Sequence, residues 1–219
     1  MIVDERMVTY INSLDMGNTP LLNEIEREAK ADLVPVIRRE MQSFLKVLLA
    51  IHRPLRVLEV GTAVGFSALL FCEYGPENMQ VTTIEKYEKR IPIARENFRR
   101  AGRENQITLL EGDAADILKE LQEPYDLIFM DAAKGQYLNF LPDVIALMAD
   151  NAMLVSDNIF HDGDVLESRY AVLRRDRTIH GRMREYLQVL CEKEELETIC
   201  LPIADGMTIS TKKRNGKGE

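Results

Sequence analysis

A chain of 219 residues, 46% of them hydrophobic, can bury a full core and has the length of one α/β domain. Its formal net charge of -8 excludes general adhesion to nucleic acid or anionic membranes and leaves room only for a local basic patch. Cys72, Cys191 and Cys200 are scattered without Cys-x-x-Cys spacing, which argues against a disulfide framework or structural zinc site; no basic leader precedes an apolar run, and a cytoplasmic protein with no membrane partner is expected.

Residues 1–52 read as helical. Thr19-Pro20 has the form of an N-cap followed by proline in the first turn, Glu24, Glu26 and Glu28 suit the N-terminal half of a helix, and a further helix is expected from Val36 to Ile51. From Arg56 onward, apolar runs at 56–60, 80–85, 106–110, 125–130 and 151–156 alternate with longer amphipathic segments, the rhythm of a β-α-β parallel sheet. Leu196–Leu201 and 206–210, joined through Pro202 and Gly206, read as an antiparallel pair. The expected organisation is one domain over 1–219: N-terminal helices to 52, an α/β core over 53–211, and a flexible tail over 212–219 that lacks apolar residues.

The stretch Arg56-Val-Leu-Glu-Val-Gly-Thr-Ala-Val-Gly-Phe-Ser67 is a buried strand, a glycine turn and a helix start. Gly61 and Gly65 permit a sharp turn and a close approach, but Ala63 and Phe66 stand where a dinucleotide fingerprint requires glycine. A nucleoside ligand without a pyrophosphate fits better. Glu85 ends the next apolar run, where a carboxylate can accept two hydrogen bonds from a ribose diol, and Asp113-Ala114 after the third run suits an adenine amino group. Together these residues point to S-adenosylmethionine.

Asp131 closes the fourth run, and Asp157-Asn158 closes the fifth. Two carboxylates and an amide oxygen on neighbouring strand ends form a hard-oxygen set suited to magnesium or another divalent cation, with positions left for two substrate oxygens. Each acid taken alone also fits a plain helix cap. Lys134, three residues past Asp131, is expected to have a lowered pKa beside a cation and to act as a base.

These residues resemble the cation-dependent O-methyltransferases, the class that includes catechol and caffeoyl-CoA methyltransferases, over most of the chain. The resemblance rests on Glu59-Val-Gly-Thr-Ala-Val-Gly-Phe-Ser67, Glu85, Gly112-Asp-Ala114, Asp131-Ala-Ala-Lys134 with Tyr137, and Ser156-Asp-Asn158. It implies an α/β fold of the Rossmann-like class I methyltransferase type: a mostly parallel seven-stranded sheet flanked by helices, with an N-terminal helical extension, in a homodimer. It further implies that Glu59, Gly61, Ser67, Glu85, Asp113, Ala114, Asp131 and the backbone near Val36 seat the cofactor. Asp131, Asp157 and Asn158 would hold the metal, and Lys134 would take the hydroxyl proton.

Plant members often follow the Asp-Asn pair with an aromatic Leu-Trp segment, whereas this chain reads Ile159-Phe-His-Asp-Gly163 and contains no Trp. Residues 169–184 carry six arginines, including Arg174, Arg175 and Arg177, against the single acid Asp176. Such a stretch forms a phosphate-binding face or a solvated helix surface. It resembles the bacterial branch that methylates 5-hydroxyuridine at the tRNA wobble position, which implies tRNA as partner; His161 is a further candidate substrate contact. A small catechol acceptor and a non-catalytic nucleoside- or RNA-binding module are the alternatives.

Overall fold

The structure, a computed structural model, describes residues 3–213. Three helices come first: α1 (Glu5–Ser13), α2 (Pro20–Ala31) and α3 (Arg39–His52). The Asp4 carboxylate caps α1 by accepting from the Arg6 and Met7 N–H groups. Pro20 opens α2 as expected, while Thr19 occupies the cap position without a side-chain bond. The third helix starts three residues later than the expected Val36. Pro35 disfavours helix at its predecessor and supplies no N–H, and residues 34–38 stay non-helical. That displacement leaves Val36 and Arg38 on a strap that reaches the cavity described below.

The remaining elements alternate: β1 (Arg56–Val60), α4 (Phe66–Tyr74), β2 (Gln80–Glu85), α5 (Ile91–Arg100), β3 (Ile107–Glu111), α6 (Ala114–Glu120), β4 (Tyr125–Met130), α7 (Tyr137–Ala146), β5 (Met148–Asp157), α8 (Arg177–Glu192), β6 (Leu196–Leu201) and β7 (Met207–Lys212). The seven strands lie in the order β3-β2-β1-β4-β5-β7-β6. All neighbours are parallel except β7, which runs antiparallel to both β5 and β6. The expected α/β sheet and its terminal antiparallel pair are present.

The sheet is buried on both faces. Alternation along β1 and β4 sends Val57, Leu127 and Phe129 to the layer of α2, α3 and α4, and Leu58, Ile128 and Met130 to the layer of α7 and α8. Edge-to-face ring pairs pin each layer: Phe71 with Phe129 at 5.6 Å and Tyr137 with Tyr186 at 5.4 Å between centroids.

β5 and β7 run further than expected. β5 begins at Met148, because a register shift near Tyr125 lets it pair before the polar Asp150-Asn151 step. β7 continues through Lys212, which pairs with Leu196 and donates from Nζ to the Met148 carbonyl at 2.5 Å; the rest of the expected tail, 214–219, lies outside the described residues. No described helix is long and apolar enough to cross a membrane.

Strand order reverses at the β1–β4 pair, so the loops leaving β1 and β4 diverge and open a crevice at the carboxyl ends of the strands.

Candidate active site

That crevice is a cavity of about 740 Å³ lined from one end by Gly61, Glu85 and Asp113 and from the other by Asp131, Lys134 and Asn158. Gly61 makes its floor. Its φ is +107°, and a Cβ there would stand 2.2 Å from the Asp131 carbonyl oxygen, so only glycine lets the two strand ends approach. The turn continues through Ala63, itself left-handed at φ 47°. That conformation aims the Ala63 N–H at Glu85 Oε2, 2.8 Å away.

Glu85 Oε1 accepts from the N–H groups of Lys86 at 3.0 Å and Tyr87 at 2.8 Å. Three backbone donors thus fix a carboxylate whose remaining lone pairs line the cavity. Asp113 caps α6 by accepting from the Ala115 N–H at 3.0 Å, and also pairs with Lys86 Nζ at 3.2 Å. The Ala115 N–H and then Lys86 hold its carboxyl below the usual range. Capping and lining are therefore both true of Asp113, and Ala114 lines the cavity beside it. Val36 lines the same space from the strap before α3.

Glu59, expected at the cofactor, does not line the cavity. It is fully buried behind the cavity wall, where its two carboxyl oxygens meet the Ser67 and Thr83 hydroxyls. Burial pushes it up to about 8 against the lowering effect of those hydroxyls. Ser67 lines the cavity, but its hydroxyl faces Glu59. The pair braces the turn that carries Gly61.

At the other end, Asp131 Oδ1 accepts from Lys134 Nζ at 3.1 Å and from Asn158 Nδ2 at 3.3 Å. Lys134 Nζ also donates to the Tyr137 hydroxyl at 3.1 Å and the Asp157 carbonyl at 3.3 Å. Asp157 Oδ1 accepts from the Asn158 N–H at 2.7 Å, and Asn158 adopts a left-handed φ of 54°. Asp131, Lys134, Asp157 and Asn158 are thus brought together as expected, although Asp157 stands just behind the cavity lining and is 1% exposed.

Burial and the Asp131 charge push the Asp157 carboxyl up to about 7. Burial opposes the Lys134 ammonium, but Tyr137, Asp131 and Asp157 outweigh it and hold the group above the usual lysine value. The lowered value expected for Lys134 applies with a cation at these carboxylates. Among the described residues no three His, Cys, Asp or Glu side chains gather as a metal-ligand set; the group here is two carboxylates and an amide.

Sequence reasoning missed three residues of this end. Asp205, 6% exposed, accepts the Asp162 N–H through both oxygens at 2.8 and 2.9 Å. Asp162, left-handed at φ 55°, pairs with Arg38 of the strap at 3.2 Å, and all three residues line the cavity. Asp205-Gly206 reads in the sequence only as a turn, and nothing local announces that residues 43 positions apart will bond. His161 also lines the cavity, next to Asp164 at 3.3 Å.

The arginine stretch is divided. Residues 167–176 form a non-helical loop before α8. Arg177 donates to the carbonyls of Val172 and Tyr170, Arg184 to those of Val165 and Glu167, and Arg182 to that of Gly135 at 2.6 Å. Arg177, a candidate substrate contact, thus staples the chain. Arg169, Arg174 and Arg175 remain exposed, and none of the arginines lines the cavity.

Comparison with known proteins bears on this arrangement. A catechol O-methyltransferase of Mycobacterium tuberculosis is 31% identical over 160 residues, 72% of this chain and 73% of its own. A catechol O-methyltransferase of Niastella koreensis is 29% identical over 168 residues, 75% of this chain and 70% of its own. Among solved structures, the SAH-bound methyltransferase of Podospora anserina superposes with a TM-score of 0.87 at 25% identity, covering 96% of this chain and 95% of that one. The family model described as O-methyltransferase matches residues 12–213. With the nucleoside-shaped end of the cavity and these relatives together, the chain belongs to the O-methyltransferase family and is an S-adenosylmethionine-dependent enzyme.

Proposed function

We propose that this enzyme methylates one of two adjacent oxygens held at a divalent cation, and that its acceptor is 5-hydroxyuridine at the tRNA wobble position, giving 5-methoxyuridine. The observation that carries the reading is the convergence of Asp131, Asp157 and Asn158 around Lys134 at the acceptor end of the cavity. Two acids share one ammonium there, and Asp157 resists ionisation beside Asp131. A pair of hard-oxygen carboxylates short of positive charge suits a magnesium-type ion, with Asn158 adding a neutral oxygen. When bound, S-adenosylmethionine supplies the methyl group and the cation supplies the charge that favours an acceptor oxyanion.

The chain's own residues do the rest. Glu85 and Asp113 orient the adenosine through a carboxylate fixed by backbone donors and a carboxylate at a helix start. Lys134 Nζ, 3.1 Å from Asp131 Oδ1, takes the hydroxyl proton once a cation at the carboxylates has displaced its own proton. A phenol-like hydroxyl ionises near pH ~10, so its proton must be both weakened and accepted for transfer at neutral pH. Phe140 supplies apolar wall in the cavity.

The choice of tRNA is supported by exposed Arg169, Arg174 and Arg175 on a protein of net charge -8. A 5-hydroxyuracil presents its hydroxyl beside the 4-carbonyl, the same vicinal oxygen pair that a catechol presents. The catechol O-methyltransferases among the relatives favour a second reading in which a small catechol is the acceptor.

The two separate in one assay: methyl transfer from labelled S-adenosylmethionine to tRNA bearing unmethylated 5-hydroxyuridine, with a catechol control and EDTA-treated duplicates. The expected result is EDTA-sensitive label in tRNA, recovered as 5-methoxyuridine. Label in catechol alone would replace the RNA reading, and transfer indifferent to EDTA would remove the cation.

A further inference from the structure

The loop between the cavity and α8 has an unusual construction. Val172 is its buried anchor at 4% exposure, yet Tyr170 is 85% exposed and Leu173 62% exposed on either side. Its backbone is held by three side chains of α8. Arg177 donates to Val172 O at 3.2 Å and to Tyr170 O at 3.5 Å, His180 Nε2 lies 3.1 Å from Glu167 O, and Arg184 reaches Glu167 O at 3.3 Å. Two tight turns, Ala171 N–H to Ser168 O at 2.9 Å and Asp176 N–H to Leu173 O at 2.9 Å, complete it. Here the ties hold the backbone while the ring faces water.

The charges of the loop are mainly basic, with Arg169, Arg174 and Arg175 against Glu167 and Asp176. Arg169 and Arg174 are exposed, and Arg175, whose side chain is 82% exposed, meets only Asp176. The loop follows directly on residues 161–166, of which His161 and Asp162 line the cavity. An exposed aromatic ring on a tied backbone, with free guanidinium groups beside it in the chain, matches what a single-stranded nucleic acid offers: a base with a π-face, and phosphates on either side. Pre-organisation lowers the ordering cost of such a contact.

We propose that Tyr170 is a stacking platform for an unpaired base of an RNA acceptor, with Arg169 and Arg174 on its flanking phosphates, so that the neighbouring nucleotide enters the cavity. This rests on the RNA reading above and names the part of the surface that selects a loop over a free nucleoside. The partner is a single-stranded segment, since a base paired in a duplex keeps its face covered by its neighbours.

The test compares wild type, Tyr170→Ala, Tyr170→Phe and Arg169→Ala/Arg174→Ala as enzymes on three acceptors: an anticodon stem-loop RNA with 5-hydroxyuridine, the free 5-hydroxyuridine nucleoside, and catechol. Tyr170 is exposed, so neither substitution disturbs the core. Tyr170→Ala is expected to raise KM for the RNA roughly tenfold with kcat unchanged, Tyr170→Phe to restore it, and the arginine pair to flatten the dependence of RNA KM on salt. Transfer to the nucleoside and to catechol stays as in wild type. If the RNA is methylated equally well by Tyr170→Ala, the platform is refuted while the RNA reading stands. If wild type labels catechol and no RNA, both fall.

Discussion

The two ends of the cavity are built by different means. Around Glu85 the contacts come from backbone: three N–H groups of Ala63, Lys86 and Tyr87 fix its carboxylate, and Gly61 sits where a side chain has no room. Around Asp131 they come from polar side chains of separate elements, Lys134 after β4 and Asn158 after β5, with Asp205 before β7 and Arg38 before α3 meeting at Asp162 on the same cavity wall. The first construction is rigid, and apart from Gly61 it rests on backbone groups rather than on neighbouring side chains. The second is an electrostatic balance, in which removing the Lys134 ammonium leaves Asp131 and the buried Asp157 without their partner.

The comparison breaks if substitutions at the charged end alter cofactor affinity. Asp131→Ala is expected to be the most severe, lowering kcat by about 10³-fold or more while S-adenosylmethionine binding, measured by calorimetry in the presence of EDTA, changes little. Lys134→Ala should follow with a loss of about 10²-fold in kcat and a cofactor Kd near that of wild type. Equal cofactor weakening in both would mean that the two ends are one site. Gly61→Ala tests the other end. Its Cβ meets the Asp131 carbonyl oxygen and its φ lies outside the range of ordinary residues, so roughly tenfold weaker cofactor binding is expected, with a Tm several degrees lower.

The same division explains what could be read from the chain. Strand ends and glycine turns are local, and Gly61, Glu85 and Asp113 stand within a few residues of the apolar runs that announce them. The sheet and its antiparallel pair were legible for the same reason, since apolar runs of strand length alternate with helical segments. Asp205 and Arg38 were not, because their meeting through Asp162 depends on β7 inserting between β5 and β6 and on Pro35 delaying α3. Glu59 was legible as important but its placement was not. A carboxylate at the end of a buried strand reads as a ligand contact, and only the packed structure gives Thr83 of the neighbouring strand as its partner. Composition marked the arginine stretch, but it could not separate the staples Arg177, Arg182 and Arg184 from the free Arg169 and Arg174.

Glu59 offers the smallest effect and the sharpest view of the rigid end. Burial raises its pKa from 4.5 to about 8, so the folded protein holds this proton more tightly than the unfolded chain does. The stabilisation that follows is fully present below the unfolded value and is lost as pH rises through about 8. Wild type should therefore lose Tm between about pH 5 and about pH 8 beyond what its surface groups account for. Glu59→Gln keeps a group able to meet Ser67 and Thr83 but cannot ionise. It should flatten that slope, with a Tm nearer to wild type at the acid end and higher than wild type by a few degrees at the alkaline end. A slope unchanged in Glu59→Gln would mean that the charge is compensated in the folded protein, and the turn under the cofactor would then owe its rigidity to Gly61 and the backbone alone.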